Sequence, residues 1–299
     1  MEPMKRKLGM PNKFRESMVH EITKEIPENI EKILPSHTIP PWQNDAKEKR
    51  YAMRLMTNPA QRGTTKGEAA NTHRTRLSQI SQKNEYIITY TDGSMKEVEQ
   101  ENQTGAGWVI YWKGIERRSG NKGMGRFAEV YDAEMLALLR GLEAAVELQR
   151  ELPEVDRRRS TIILFADNTS SVEAITEEKP GLSQHISQRF VEAAMSFLNE
   201  NQGANIEVSW VPGHMNIEGN NRADELAKEA TKLKLATETT TIVKLHWQLC
   251  AKMKAEWTIE WARKPIAGRY AISDRIPPSL AGSHAFCTLD QHILGAIKL

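Results

Sequence analysis

Cysteine is almost missing from this chain. Cys250 and Cys287 are the only two in 299 residues, which excludes a disulfide framework and any paired CxxC for structural zinc, so a reducing compartment is expected. Long apolar runs are missing as well. None reaches the ~18 residues of a membrane span, and the start, with Met1, Lys5, Arg6 and Lys7, lacks the apolar core of a signal peptide. The sequence reads as that of a soluble intracellular protein, with nucleus and cytoplasm left open. No internal repeat is visible. The formal net charge is only +2, but it is unevenly spread: Lys47, Lys49, Arg50, Arg54, Arg62, Lys66, Arg74 and Arg76 share one stretch with few acids. That stretch reads either as a phosphate-touching surface or as a solvated tail, and both readings stay open.

A chain of this length holds one ordinary domain with substantial flanks, or two small domains, and buries its own core. Residues 1–84 are polar and punctuated by Pro27, Pro35, Pro40, Pro41 and Pro59, with a short helical-looking piece at Ser17 to Lys24, and read as a poorly ordered lead-in. The pattern changes at Tyr86-Ile87-Ile88-Thr89-Tyr90-Thr91-Asp92, a β-branched and aromatic run that predicts a core strand stopped by Gly93-Ser94. Strands follow at Trp108–Trp112 and Glu116–Ser119. Met135, Leu139, Leu142 and Val146 recur at helical spacing and predict a helix over about Ala133–Leu148, with Asp132 as its N-cap. Thr161 to Ala166 is apolar without alternation, as in a strand covered on both faces, and ends at Asp167. Ser170 and Glu173 form a capping-box pair opening a helix. Further helices are expected at His185–Asn199 and Asn221–Leu233, with a fifth strand at Ile206, Val208 and Trp210 between them. The order predicts an α/β fold, a five-stranded mixed sheet flanked by helices over residues 85–235. Residues 236–299 form a Thr-rich linker and a partly helical flank with Trp247, Trp257 and Trp261.

Four carboxylates fall at element ends where they can converge. Asp92 ends the first strand, Asp167 ends its expected neighbour, Glu134 lies in the first turn of the long helix and Asp224 in the last helix. Taken singly, each has a plain structural reading, as a turn residue or a complement to a helix dipole. Together they form a cluster whose repulsion calls for cations, and hard oxygen ligands of this kind suit Mg2+ or Mn2+. Such a cluster fits in-line phosphodiester hydrolysis by a metal pair, without a protein nucleophile.

The local motifs are Tyr90-Thr91-Asp92-Gly93-Ser94, Ala133-Glu134-Met135-Leu136-Ala137, Phe165-Ala166-Asp167-Asn168, and Trp210-Val211-Pro212-Gly213-His214 followed by Gly219-Asn220-Asn221-Arg222-Ala223-Asp224-Glu225-Leu226-Ala227. In that order they resemble the ribonuclease H type 1 family, over about half the chain from Tyr86 to about Leu233. The resemblance implies an endoribonuclease that cuts the RNA strand of RNA/DNA hybrids with two Mg2+ ions, Mn2+ being the alternative. It implies Asp92 bridging both ions, Glu134 and Asp167 holding one, Asp224 helping to hold the ion that activates water, and His214 assisting proton transfer or product release. By the same resemblance Gly93, Ser94, Thr169, Asn220 and Arg222 are candidates for contact with the hybrid.

Two departures from the cellular enzymes stand out. Val130, Tyr131 and Asp132 replace an asparagine pair before Glu134, and no Lys- and Trp-rich basic handle lies between Asp167 and His214. Both look like domains carried by retroelements. Pro40-Pro41-Trp42 upstream and the Trp-rich segment with Arg269, Pro277 and Pro278 downstream are similar to the surroundings of this domain in fungal LINE-type retrotransposon polyproteins. That resemblance implies a reverse transcriptase, encoded with the domain, as a partner. The alternatives are a catalytically silent nucleic-acid-binding module of the same fold, and a transposase or integrase. The early glutamate argues against the latter.

Overall fold

The computed structural model describes residues 28–30, 54–175, 183–233 and 239–263. The chain divides into two units, one over Leu34–Val243 and the other over Met1–Ile33 with Lys244–Leu299. The first holds the strands β1 (Leu55–Asn58), β2 (Tyr86–Val98), β3 (Glu101–Trp112), β4 (Ile115–Gly125), β5 (Thr161–Ala166) and β6 (Asn205–Trp210). Between and around them run α1 (Lys66–Ile80), α2 (Val130–Glu151), α3 (Glu154–Arg157), α4 (Thr169–Ala174), α5 (Gln184–Glu200) and α6 (Glu218–Ala230). The strands form one mixed sheet in the order β1-β6-β5-β2-β3-β4. β1, β6, β5 and β2 are parallel, whereas β3 is antiparallel to both β2 and β4.

Each face of the sheet buries its own core. Leu138, Leu139 and Leu142 of α2 meet Ile186, Phe190 and Phe197 of α5 over Ile87, Ile162 and Leu164. On the other face Ala223 and Leu226 of α6, with Ala70 and Ile80 of α1, cover Ile88, Tyr90, Val109, Ile163 and Phe165. The unbroken apolar run of β5 follows from this: with helices on both faces, neither set of alternating side chains meets water.

The sheet has six strands, not the expected five, and the upstream segment is not irregular throughout. Leu55–Asn58 adds in parallel to β6, with Leu55 opposite Ile206 and Asn58 opposite Ser209. Four residues with two apolar members carry too little periodicity to be read as a strand. Tertiary ties hold it instead. The Arg54 guanidinium donates to the Ala204 carbonyl from Nε at 3.0 Å and Nη2 at 2.8 Å. Asn58 Nδ2 donates to Glu207 Oε1 at 2.8 Å, and Arg76 of α1 forks onto both oxygens of the same buried carboxylate at 2.5 Å. α1 starts at a capping box in which Thr65 accepts from Glu68 N and the Glu68 carboxylate accepts from Thr65 N. Arg54, Arg74 and Arg76, part of the basic stretch noted above, are therefore engaged in folding, Arg74 through the Met215 carbonyl at 2.6 Å.

β2 does not stop at Gly93-Ser94. It continues to Val98, pairs with β3 from Ile87 onward, and turns at Glu99 and Gln100, both in the left-handed region, as a tight hairpin requires. The third strand is likewise longer than Glu116–Ser119. α2 starts three residues before Ala133, and its N-cap is Glu129 rather than Asp132. Asp132 sits at the third helical position, where its Oδ2 accepts from Glu129 N at 2.9 Å. The cap of α4 is Asn168, whose side chain accepts from Ser171 N, so Ser170 lies inside the helix. α6 spans Glu218–Ala230 instead of 221–233.

Residues beyond 235 also make tertiary contacts. Thr241 N donates to the Phe127 carbonyl at 2.8 Å, tying residues after α6 to the segment before α2. α7 (Ile242–Arg263) follows, with Trp247 exposed. The expected helix at 17–24, the cations Lys47, Lys49 and Arg50, the Pro40-Pro41-Trp42 motif, the side chains of Trp257 and Trp261, and Arg269, Pro277, Pro278 and Cys287 lie outside the described residues. No described helix is long and apolar enough to cross a membrane.

Candidate metal centre

Parallel pairing of β2 with β5 ends with Thr91 opposite Ala166, so Asp92 and Asp167 stand side by side where the two strands part. Glu134 joins them because α2 lies against β2 with almost no gap. A Cβ added at Gly93 would come within 2.6 Å of Glu134 N, so the glycine after Asp92 is required by that close approach rather than by a turn. On the opposite face a Cβ at Gly107, the partner of Asp92 in the ladder, would meet Ala227 N at 2.3 Å. That glycine lets α6, and with it Asp224, lie equally close.

Oxygens of Asp92, Glu134 and Asp167 fall within 4.8 Å of one another. Asp92 and Glu134 are 6% and 5% exposed, so the charges are poorly hydrated as well as crowded. Burial, then repulsion by Asp167 and Asp224, pushes Asp92 up to about 8. Burial followed by Asp92 and Asp167 raises Glu134 well above the carboxylate range. Asp167 is raised too, mainly by burial, while a hydrogen bond from Asn220 and the charge of His214 pull the other way. Glu134 Oε2 is buried without a hydrogen-bond partner, an arrangement that leaves an acceptor's lone pairs unused. Three converging hard oxygen donors, one of them orphaned, fit a divalent cation of the Mg2+ or Mn2+ type.

Asp224 is near enough to act on Asp92 electrostatically but stands outside the group of three. Its carboxylate is bonded to Lys228 one turn later in α6. His214 is exposed, in the left-handed region (φ 61°) of the loop between β6 and α6. The start of that loop is held by Trp210 Nε1, which donates to the Asp167 carbonyl at 2.9 Å.

The remaining candidates separate. Gly93 N donates to Asp92 Oδ1 at 2.9 Å, so its N–H orients the carboxylate. Ser94 is buried at 8% exposure. Thr169 opens α4, half-buried, two residues after Asp167. Asn220 is buried, with its Oδ1 unpartnered. Arg222 is turned to Glu225 and Glu116. Reading by motif singled out neither Lys228 nor, as a neighbour of the carboxylates, Lys66 at the start of α1, whose charge also acts on Asp167. The i,i+4 spacing of Asp224 and Lys228 was a visible signal for the first; Lys66 had none, because its place depends on how α1 packs.

Residues 84–232 match the RNase H family. Among solved structures, the chain is similar to RNase H1 from Halobacterium salinarum, at 25% identity over 48% of this chain and 96% of that one, TM-score 0.36. It is similar to LC11-RNase H1 in complex with an RNA/DNA hybrid, at 25% identity over 48% and 96%, TM-score 0.37. The N-terminal RNase H domain of a Mycobacterium tuberculosis protein matches at 21% identity over 49% and 99%, TM-score 0.37. Among curated proteins nothing matches.

Proposed function

Taking as premise that residues 84–232 form an RNase H family domain, we propose that this chain is an endoribonuclease hydrolysing the RNA strand of RNA/DNA hybrids by two-metal-ion catalysis, with Mg2+ as cofactor and Mn2+ as substitute. The observation that carries this reading is the convergence of Asp92, Glu134 and Asp167 within 4.8 Å, with Glu134 Oε2 unpartnered. When bound, a metal pair in such a site lowers the pKa of an attacking water and neutralises the leaving oxygen.

The chain's own residues divide the remaining work. Asp92 would be a ligand common to the metal pair, and Gly93 N holds its Oδ1 in place. Glu134 and Asp167 would join it in holding one ion. Asp224, now paired with Lys228, would help to hold the second ion. His214, in an exposed loop and close enough for its charge to act on Asp167, takes or delivers a proton at its ring nitrogen as product leaves. Asn220 and Thr169 serve as polar contacts to the hybrid. Lys66, from outside the matched residues, supplies part of the cationic contact that a basic handle would otherwise provide.

Retention of all four carboxylates favours the active enzyme over a silent binding module. The absent handle and the proline- and tryptophan-containing flanks support a retroelement origin, with a reverse transcriptase as partner. The test is cleavage of labelled hybrid, DNA duplex and double-stranded RNA by the purified chain, with Mg2+ and with EDTA. Metal-dependent cutting of the RNA strand in the hybrid, leaving 5′-phosphate and 3′-hydroxyl ends, is expected. Hybrid binding without cleavage at any divalent ion concentration would establish the silent module instead.

A further inference from the structure

Asp132 is fully buried, two residues before Glu134, and its carboxylate accepts from donors in three separate places in the chain. Oδ2 accepts from Glu129 N at 2.9 Å and from the Thr241 hydroxyl at 2.6 Å. Oδ1 accepts from the Ser183 hydroxyl at the start of α5. Thr241 also donates its backbone N–H to the Phe127 carbonyl at 2.8 Å, and the Thr104 hydroxyl of β3 donates to the Ala128 carbonyl at 3.0 Å. Residues 127–132, the approach and first turn of α2, are thereby fixed by side chains and backbone from β3, the cap of α5 and the segment after α6.

We propose that Thr241, which lies beyond the residues matched to the RNase H family, is a positioning residue for Glu134, acting through Asp132 to set the first turn of α2 against the metal site. The inference rests on the metal-site reading above. The rest of α2 is anchored by Leu138, Leu139 and Leu142 in the apolar core, so its attachment to the sheet does not depend on Asp132. What the polar ties control is the rotation and height of the first turn, where Gly93 leaves no slack against Glu134 N. A buried carboxylate is an expensive way to fill space, whereas a fully satisfied polar network holds one geometry. Supporting groups behind a metal ligand act on ion affinity in this manner.

The test uses the full-length chain. Thr241→Val keeps the shape and removes the hydroxyl; Thr241→Ser restores it. Mn2+ binding is followed by calorimetry without substrate, and hybrid cleavage is followed across Mg2+ concentrations. Loss of the hydroxyl is expected to weaken Mn2+ binding about tenfold and to raise the half-saturating Mg2+ concentration in parallel, with kcat at saturating Mg2+ unchanged. Thr241→Ser is expected to recover both. Should Thr241→Val fail to fold, Ser183→Ala removes a donor from the same carboxylate and is expected to shift metal affinity in the same direction. Unchanged Mn2+ affinity in the folded variant, or a melting temperature that falls while metal affinity stays the same, overturns the inference and leaves the proposed function standing. A wild-type chain that neither binds Mn2+ nor cleaves hybrid overturns both.

Discussion

Replacing Asp92 by asparagine should stabilise the metal-free protein while abolishing its activity. In the native state this carboxyl is pushed up to about 8 from its ordinary value of 3.8. An acid whose folded pKa lies above its unfolded one binds more protons in the native state between those values, so its contribution to stability falls as pH rises through that window. At ~1.36 kcal/mol per unit, the whole shift corresponds to roughly 6 kcal/mol above pH 8. Because Asp92 shares its protons with Glu134 and Asp167, the part that a single substitution removes is smaller, on the order of 2–4 kcal/mol. The asparagine side chain has the same shape without the charge, and avoids the penalty. Thermal melts in EDTA should therefore show the variant higher by roughly 4–16 °C at pH 8 for a domain of this size. The gap should close toward pH 4, where wild-type Asp92 is protonated when folded. Saturating Mg2+ should narrow or reverse the gap, since only the wild type gains binding energy from the ions. The reasoning is refuted if the variant melts lower than wild type in EDTA at pH 8, or if the difference is the same at pH 4.5 and pH 8.

His214→Ala should slow turnover without eliminating it; complete loss with Mn2+ binding intact would make the imidazole an obligatory base. Gly93→Ala puts a methyl 2.6 Å from Glu134 N and is expected to cost about 1–3 kcal/mol and to weaken metal binding, so a variant with wild-type denaturant midpoint and Mn2+ affinity would show that α2 has slack there. Lys66→Gln should weaken hybrid binding and lower the slope of log affinity against log salt by about one, at unchanged saturated rate; an unaltered slope would place Lys66 away from the phosphates. This substitution is the cleaner probe of the upstream segment, because deleting everything before residue 84 also removes β1 and α1 from the domain.

Much of the candidate site was legible because its residues lie within or beside elements with strong local patterns. The runs ending at Asp92 and Asp167 mark strands through β-branched and apolar content, and their expected adjacency is met by the parallel pairing of β2 with β5. Element bounds were less legible. Gly93-Ser94 looked like a stop because glycine commonly marks turns, yet here glycine serves a helix–strand approach that only the packing of α2 reveals. Asp132 looked like a cap by its position before an apolar periodicity, but it sits at the third position of the helix and accepts bonds from residues 51 and 109 positions away.

The sequence by itself determined the order of strands and longer helices from β2 through α6, though not the one-turn α3, and the two-sided burial of β5, and it marked four acidic residues as candidates, since each depends on short-range periodicity or on a motif a few residues long. Tertiary structure decided which carboxylates close into one group and which stands aside. Asp92, Glu134 and Asp167 meet within 4.8 Å, while Asp224 pairs with Lys228. It also decided that Leu55–Asn58 is a sixth strand, held by Arg54 and by the Arg76–Glu207 pair, and that Thr241 reaches back to Asp132. The sixth strand and the Thr241 tie rest on contacts between residues 109 to 150 positions apart, whose energies arise only when distant segments are brought into one small volume, and no local pattern encodes them.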